Sequence, residues 1–163
     1  MRFMLVSILM AISMAATARA EPPPSIKIGQ LTIETALQMA RAALDECRKA
    51  GYQVAVTVVD RDGVTQLSER DTLAAPVAST ISFEKAYTSA MFEAKGSDLA
   101  KFPDRAGLGS ANAHLLFSAG SVPIKAGGYF YGAIGVSGTP SGALDEQCAQ
   151  AGLNAVSDAL EMQ

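Results

Sequence analysis

The chain has 163 residues, with 13 Lys and Arg against 16 Asp and Glu, a formal net charge of −3 and 49% hydrophobic residues. That acidic balance argues against a surface built for nucleic acid or an anionic membrane, and the length sets the expectation of one domain around one core. The single histidine excludes a multi-histidine metal centre.

Residues 1–20, "MRFMLVSILMAISMAATARA", carry one early charge at Arg2, an apolar run from Phe3 to Ala16, and a small-x-small end at Ala18, Arg19 and Ala20. This is the pattern of a Sec-type signal peptide, and the run is short for a membrane span. The expected mature protein is therefore periplasmic or secreted, with no membrane span after cleavage. Residues 21–30, beginning "EPPPS", read as a flexible N-terminal segment, and 31–163 as one domain. Losing Arg2 and Arg19 takes the net charge from −3 to −5. Export also bears on Cys47 and Cys148. An oxidising compartment permits a disulfide between them, and two buried free thiols are the alternative. Neither metal-site spacing nor the C-x-x-C-H of covalent haem attachment is present.

"LTIETALQMARAALDECRKAG" predicts a first helix, with Ile33, Leu37, Ala40, Leu44 and Cys47 on one face. Thr32 is its expected N-cap, Glu34 suits its first turn, and Arg48, Lys49 and Gly51 suit its end. "QVAVTVVDRDGVTQLSER" predicts a hairpin. Its first strand puts Val54, Val56 and Val58 on one face and Ala55, Thr57 and Val59 on the other, so that strand can be covered on both sides. Asp60 and Asp62 in the turn suggest either a cation site or simply turn chemistry. The calcium-loop pattern fails beyond its first positions.

"ISFEKAYTSAMFEAKG" predicts a second helix carrying Phe83, Ala86, Tyr87, Ala90, Met91 and Ala94 on one stripe, stopped by Gly96. A helical turn follows over residues 97–101, then the loop "FPDRAGLGSAN", of a kind that is often functional or mobile. Three β-rich runs come next, at 114–117, 122–125 and 129–137, with Gly120 and Gly127–Gly128 between them. Connections this short require an antiparallel meander. The last helix starts near Ser141 and carries Leu144, Cys148, Ala151, Ala155 and Ala159, with Asp145 and Glu146 early. The expected class is α+β, in the order α-β-β-α-β-β-β-α.

"GAIGVSG" at 132–138 raises the question of a phosphate cradle. A dinucleotide fingerprint needs a parallel β-α-β unit and an acidic residue about twenty positions on. Here the strand belongs to a meander and the sequence ends with the next helix, so no nucleotide cofactor is expected. Gly132 and Gly135 instead imply close packing against the sheet. Gly152 inside the last helix costs roughly 1 kcal/mol against alanine, which a close neighbour, the first helix, would explain. No G-x-S-x-G elbow, phosphate loop or H-E-x-x-H occurs.

The combination of the "VVDRDG" hairpin, the "KAYTSA" helix, "VPIKAGGYFYGAIGVSG", the following Asp145 and "AQAG" resembles, in order and spacing, the GlcG/HbpS family, also described as the haem-degrading or DUF336 domain, over roughly residues 31–160. The resemblance implies a profilin-like domain with a five-stranded antiparallel sheet flanked by helices. It also implies a homo-oligomer, frequently an octamer. Some members bind haem or release iron from it, secreted members act as redox-linked accessories to sensor kinases, and others accompany oxidation of small organic compounds. The sequence departs from the family's usual glycine run before its Pro-Ile pair, having Gly120, Ser121 and Val122 ahead of Pro123.

Haem iron accepts imidazole, thiolate, thioether or phenolate, which nominates His114, the cysteines, Met91, Tyr87, Tyr129 and Tyr131. His114 heads this set, against the plainer reading of a strand-end histidine facing solvent. Phe83, Tyr87 and Met91 either line a flat apolar pocket or belong to the core. Lys85 and Arg105 either pair haem propionates or face water. Tyr129 and Tyr131 suit ligand stacking or a subunit interface. A Cys-His nucleophile pair is conceivable, although cysteines on apolar helix faces are inert. Three functions follow: an exported binder of haem or a similar planar hydrophobic ligand; an oligomeric accessory of a periplasmic oxidation or signalling system, with a sensor or oxidoreductase partner and no haem; and a small metal-assisted enzyme using Asp60, Asp62 or Glu84.

Overall fold

The structure is a computed structural model that describes residues 22–162. The signal-peptide reading of residues 1–20 lies outside the described residues. Helix α1 (Ile33–Lys49) is followed by β1 (Ala55–Asp60), β2 (Thr65–Arg70), α2 (Val77–Phe92), α3 (Gly96–Leu99), α4 (Arg105–Ala111), β3 (Ser121–Ala126), β4 (Tyr129–Ser137) and α5 (Gly142–Glu161). The strands form one antiparallel sheet in the order β2-β1-β4-β3.

The alternation of β1 divides the molecule into layers. Val54, Val56 and Val58 join Val122, Ile124, Ile134 and Val136 in the larger core, closed by α1 and α5. Val59 and Ala133 face the other way, onto Ala86 and Ala90 of α2. Thr57 sits on that second face too, where its hydroxyl hydrogen-bonds to Ser82 of α2 at 2.8 Å. Every β1 side chain up to Val59 is buried, as a strand covered on both sides requires.

Capping follows the sequence. Thr32 Oγ1 accepts from the Thr35 N–H at 3.2 Å, and Ser141 Oγ accepts from the Leu144 N–H at 3.3 Å. At the other end of α1, Arg48 donates to the buried Asp71 carboxylate at 2.6 and 3.0 Å, an interaction that raises its pKa above the ordinary arginine value. Asp71 also accepts from the Val54 N–H at 3.1 Å, so one carboxylate ties the helix end to the start of β1.

Helices α1 and α5 meet through small residues. A Cβ on Gly152 would lie 2.7 Å from Met39 O and 3.1 Å from Ala43 Cβ, so the glycine permits the close approach. Cys47 and Cys148 form a disulfide across this contact, with Sγ–Sγ 2.04 Å and Cα–Cα 5.6 Å, which decides between the bridge and the free thiols. The buried stripes are rotated from those expected. Ala36, Met39, Ala40, Ala43, Leu44 and Cys47 are the buried residues of α1, whereas Ile33 and Leu37 are 48% and 40% exposed. Close helix packing selects the small residues over the most hydrophobic ones. Gly135 serves α2 in the same way, because a Cβ there would collide with the backbone of Ser82 and Ala86.

Among the described residues the sheet has four strands, not five. Residues 114–117 do not pair with the sheet: the Leu116 N–H donates to the Thr88 hydroxyl on α2 at 2.7 Å, and the Leu115 and Ser118 amides donate within local turns. The segment read as the loop "FPDRAGLGSAN" contains α4 despite Gly107 and Gly109. Phe117 stacks with Phe102 and meets Phe92 edge-on, ring centroids 5.9 and 5.4 Å apart, which packs the excursion against the end of α2.

Candidate functional site

Helix α2 turns one face to the sheet and presents Phe83, Tyr87 and Met91 on another. Phe83 and Tyr87 are half-buried, and Met91 is 39% exposed. The β1–β2 turn comes close to this second face: a Cβ on Gly63 would lie 2.7 Å from the Tyr87 ring and 3.0 Å from Met91 Cε. With φ at +79°, Gly63 both completes the turn and leaves room for those side chains.

The loop after α4 brings His114 to the same place. Its ring stands edge-on to Phe83 with centroids 5.5 Å apart and to Tyr87 at 5.9 Å. Phe83 and Tyr87 lie 5.9 Å from each other. His114 is exposed, and among the described residues neither ring nitrogen has a hydrogen-bonding protein partner. Asn112 shapes the approach: its Oδ1 accepts from the His114 N–H at 2.9 Å, and its Nδ2 donates to Tyr87 Oη at 3.4 Å. Four sequence candidates, His114, Phe83, Tyr87 and Met91, are thus gathered on one face.

Other candidates are not part of it. Lys85 lies on the sheet-facing side of α2, 4% exposed, with Nζ 2.7 Å from Asp145 Oδ2 and 3.1 Å from the Val136 carbonyl. It is spent on an internal ion pair, which corrects the expectation of a propionate partner or a water-facing charge. Arg105, at the start of α4, is exposed and donates to the Phe102 carbonyl at 3.2 Å. Tyr131 is 4% exposed and belongs to the larger core, and Tyr129 is 40% exposed. Their rings are 6.2 Å apart and border a groove of about 260 Å³ closed by residues 27–30. A second groove, of about 380 Å³, runs between Glu93, Lys125 and Phe130. Neither groove includes His114.

Asp60 is engaged in its turn, where Oδ1 accepts from the Asp62 and Val64 amides at 2.9 Å each. Among the described residues no group of three or more His, Cys, Asp and Glu side chains gathers for a metal ion. The bridge removes Cys47 and Cys148 from the possible ligands and nucleophiles. Asn112, Thr88 and Gly63 were missed from sequence. The Asn two positions before His114 is the one local signal, since Asx turns have that spacing.

What the haem chemistry asks of a protein is an iron ligand beside flat apolar surface. His114 offers an imidazole against two aromatic rings and a thioether, so the residues fit that group.

A three-layer α+β domain with one solvent-facing histidine on an aromatic helix face defines the general class. The chain belongs to the family described as haem degrading protein HbpS-like, whose model matches residues 31–154. A double mutant of HbpS from Streptomyces reticuli is similar at 38% identity, covering 87% of this chain and 97% of that one with a TM-score of 0.76. The ORFY protein of Klebsiella pneumoniae, assigned to the DUF336 family, is 26% identical over 83% of this chain and 97% of its own, with a TM-score of 0.77. A PduOC:haem complex shares the fold at 24% identity and a TM-score of 0.71, covering 78% of this chain and 95% of that one. No curated protein matches. Among the described residues, no helix is long and apolar enough to cross a membrane.

Proposed function

We propose that the chain is an exported protein that binds haem, or a planar hydrophobic ligand of the same kind, on the outer face of α2, with His114 as the iron ligand. The observation that carries this reading is the exposed His114 ring, edge-on to Phe83 and Tyr87, with neither nitrogen taken by a protein group among the described residues. Phe83, Tyr87 and Met91 supply apolar surface for the macrocycle. When bound, haem would supply redox-active iron at this face. Membership of the HbpS-like family supports the ligand class, and the fold is one that carries haem in the PduOC complex. The Cys47–Cys148 disulfide supports export, because such bridges persist in oxidising compartments.

The test is a haem titration of residues 21–163 followed by absorbance with and without reductant, with His114→Ala in parallel. A saturable Soret shift at low micromolar haem that is lost or displaced in the variant is expected. A response matching free haem would overturn the reading, and an unchanged Soret band in His114→Ala would remove the ligand assignment.

A further inference from the structure

His114 sits in a loop without sheet pairing, yet two side chains bind the backbone on either side of it. The Thr88 hydroxyl, fully buried on α2, accepts from the Leu116 N–H at 2.7 Å while donating to the Glu84 carbonyl at 2.7 Å. Asn112 closes the Asx turn onto the His114 N–H and reaches Tyr87 Oη. One clamp therefore lies two residues before His114 and the other two residues after it, and both end on α2.

We propose that Thr88 and Asn112 are positioning residues that hold the His114 ring at its fixed place over Phe83 and Tyr87. The consequence for the ligand rests on the haem reading; the positioning itself does not. A threonine in the middle of a helix commonly bonds back to the carbonyl four residues earlier. Here the same oxygen also accepts a hydrogen bond from the N–H of a segment 28 residues away. Without that acceptor the Leu116 amide would have to find water, and the loop would lose its link to the turn of α2 between Tyr87 and Met91. A preorganised ring avoids the ordering cost that a free loop pays on binding.

The single histidine makes the test direct, since its imidazole protons give one set of NMR signals. In the ligand-free mature chain those signals are expected to be displaced by the ring currents of Phe83 and Tyr87. Thr88→Val and Asn112→Ala should move them toward random-coil positions, and Thr88→Ser, which keeps the hydroxyl, should restore them. Melting curves of each variant establish that the core is intact, and Asn112→Ala, on the surface loop, keeps the test valid if Thr88→Val fails to fold. On the haem reading, affinity in Thr88→Val should fall about tenfold, equivalent to 1.4 kcal/mol. Random-coil signals in the unaltered protein, or wild-type signals in both Thr88→Val and Asn112→Ala, would overturn the proposal. Signals that move as expected in a protein that ignores haem would uphold the positioning and sink the haem reading instead.

Discussion

Lys85→Met tests the buried ion pair that joins α2 to α5. The Lys85 and Asp145 side chains are 5% and 4% exposed with Nζ and Oδ2 2.7 Å apart. The pair is embedded in further bonds: Lys85 donates to the Val136 carbonyl, and Asp145 Oδ1 accepts from the Thr139 amide at 3.1 Å. Removing the ammonium strands a carboxylate with one backbone donor in a dry site. Breaking a buried pair in this way costs about 3–5 kcal/mol, or roughly 10–20 °C in Tm for a domain of this size. Replacing both partners, as in Lys85→Met with Asp145→Leu, removes the stranded charge and should recover most of the loss, leaving the Thr139 amide as the main deficit. Urea titrations of wild type, both single variants and the double give the coupling energy of the cycle. A single variant within 1 kcal/mol of wild type, or a double no more stable than the worse single, would refute the reasoning.

The disulfide spans 101 residues, and cross-links that close loops of about that length contribute up to about 4.7 kcal/mol through the unfolded chain. Cys47→Ala with Cys148→Ala should therefore lower stability by about 3–4 kcal/mol in a urea melt, and dithiothreitol should reproduce that loss in the wild type but not in the variant. Self-association is expected from the exposed apolar side chains, among them Ile26, Ile28, Ile33, Leu37 and Tyr129, since exposed apolar surface is what partners cover. Light scattering at micromolar concentration should give a multiple of the chain mass, and a monomeric mass would remove the expectation.

The legible parts of the fold were those where local pattern and tertiary demand agree. The valine alternation of β1 names both covered faces, and Thr32 and Ser141 cap the helices they precede. Gly152 announces a close helix contact, and the contact is with α1. The pattern misled where packing overrides hydrophobicity. Ile33 and Leu37 are more apolar than Ala36 and Ala43, but the close approach of α5 at Gly152 falls on the side of α1 that carries Ala43 and the Met39 backbone. Lys85 reads as a surface charge because its partner lies 60 residues away, a separation no local window spans.

The site follows the same division, and the reason concerns the backbone of residues 114–117. Their composition suits a strand, and β3 is the edge of the sheet. A strand there would have spent its amides on β3 and aligned His114 with the sheet. Two interactions available only in the folded chain take those residues elsewhere: the Thr88 hydroxyl accepts the Leu116 amide, and Phe117 completes an aromatic cluster with Phe92 and Phe102. Buried apolar contact and a satisfied amide together replace the ladder that the segment does not make. That substitution sets the histidine against α2, beside the Phe83, Tyr87 and Met91 stripe that the sequence already displayed. The stripe is legible because it lies on one helix, whereas its pairing with His114 depends on where the long excursion returns.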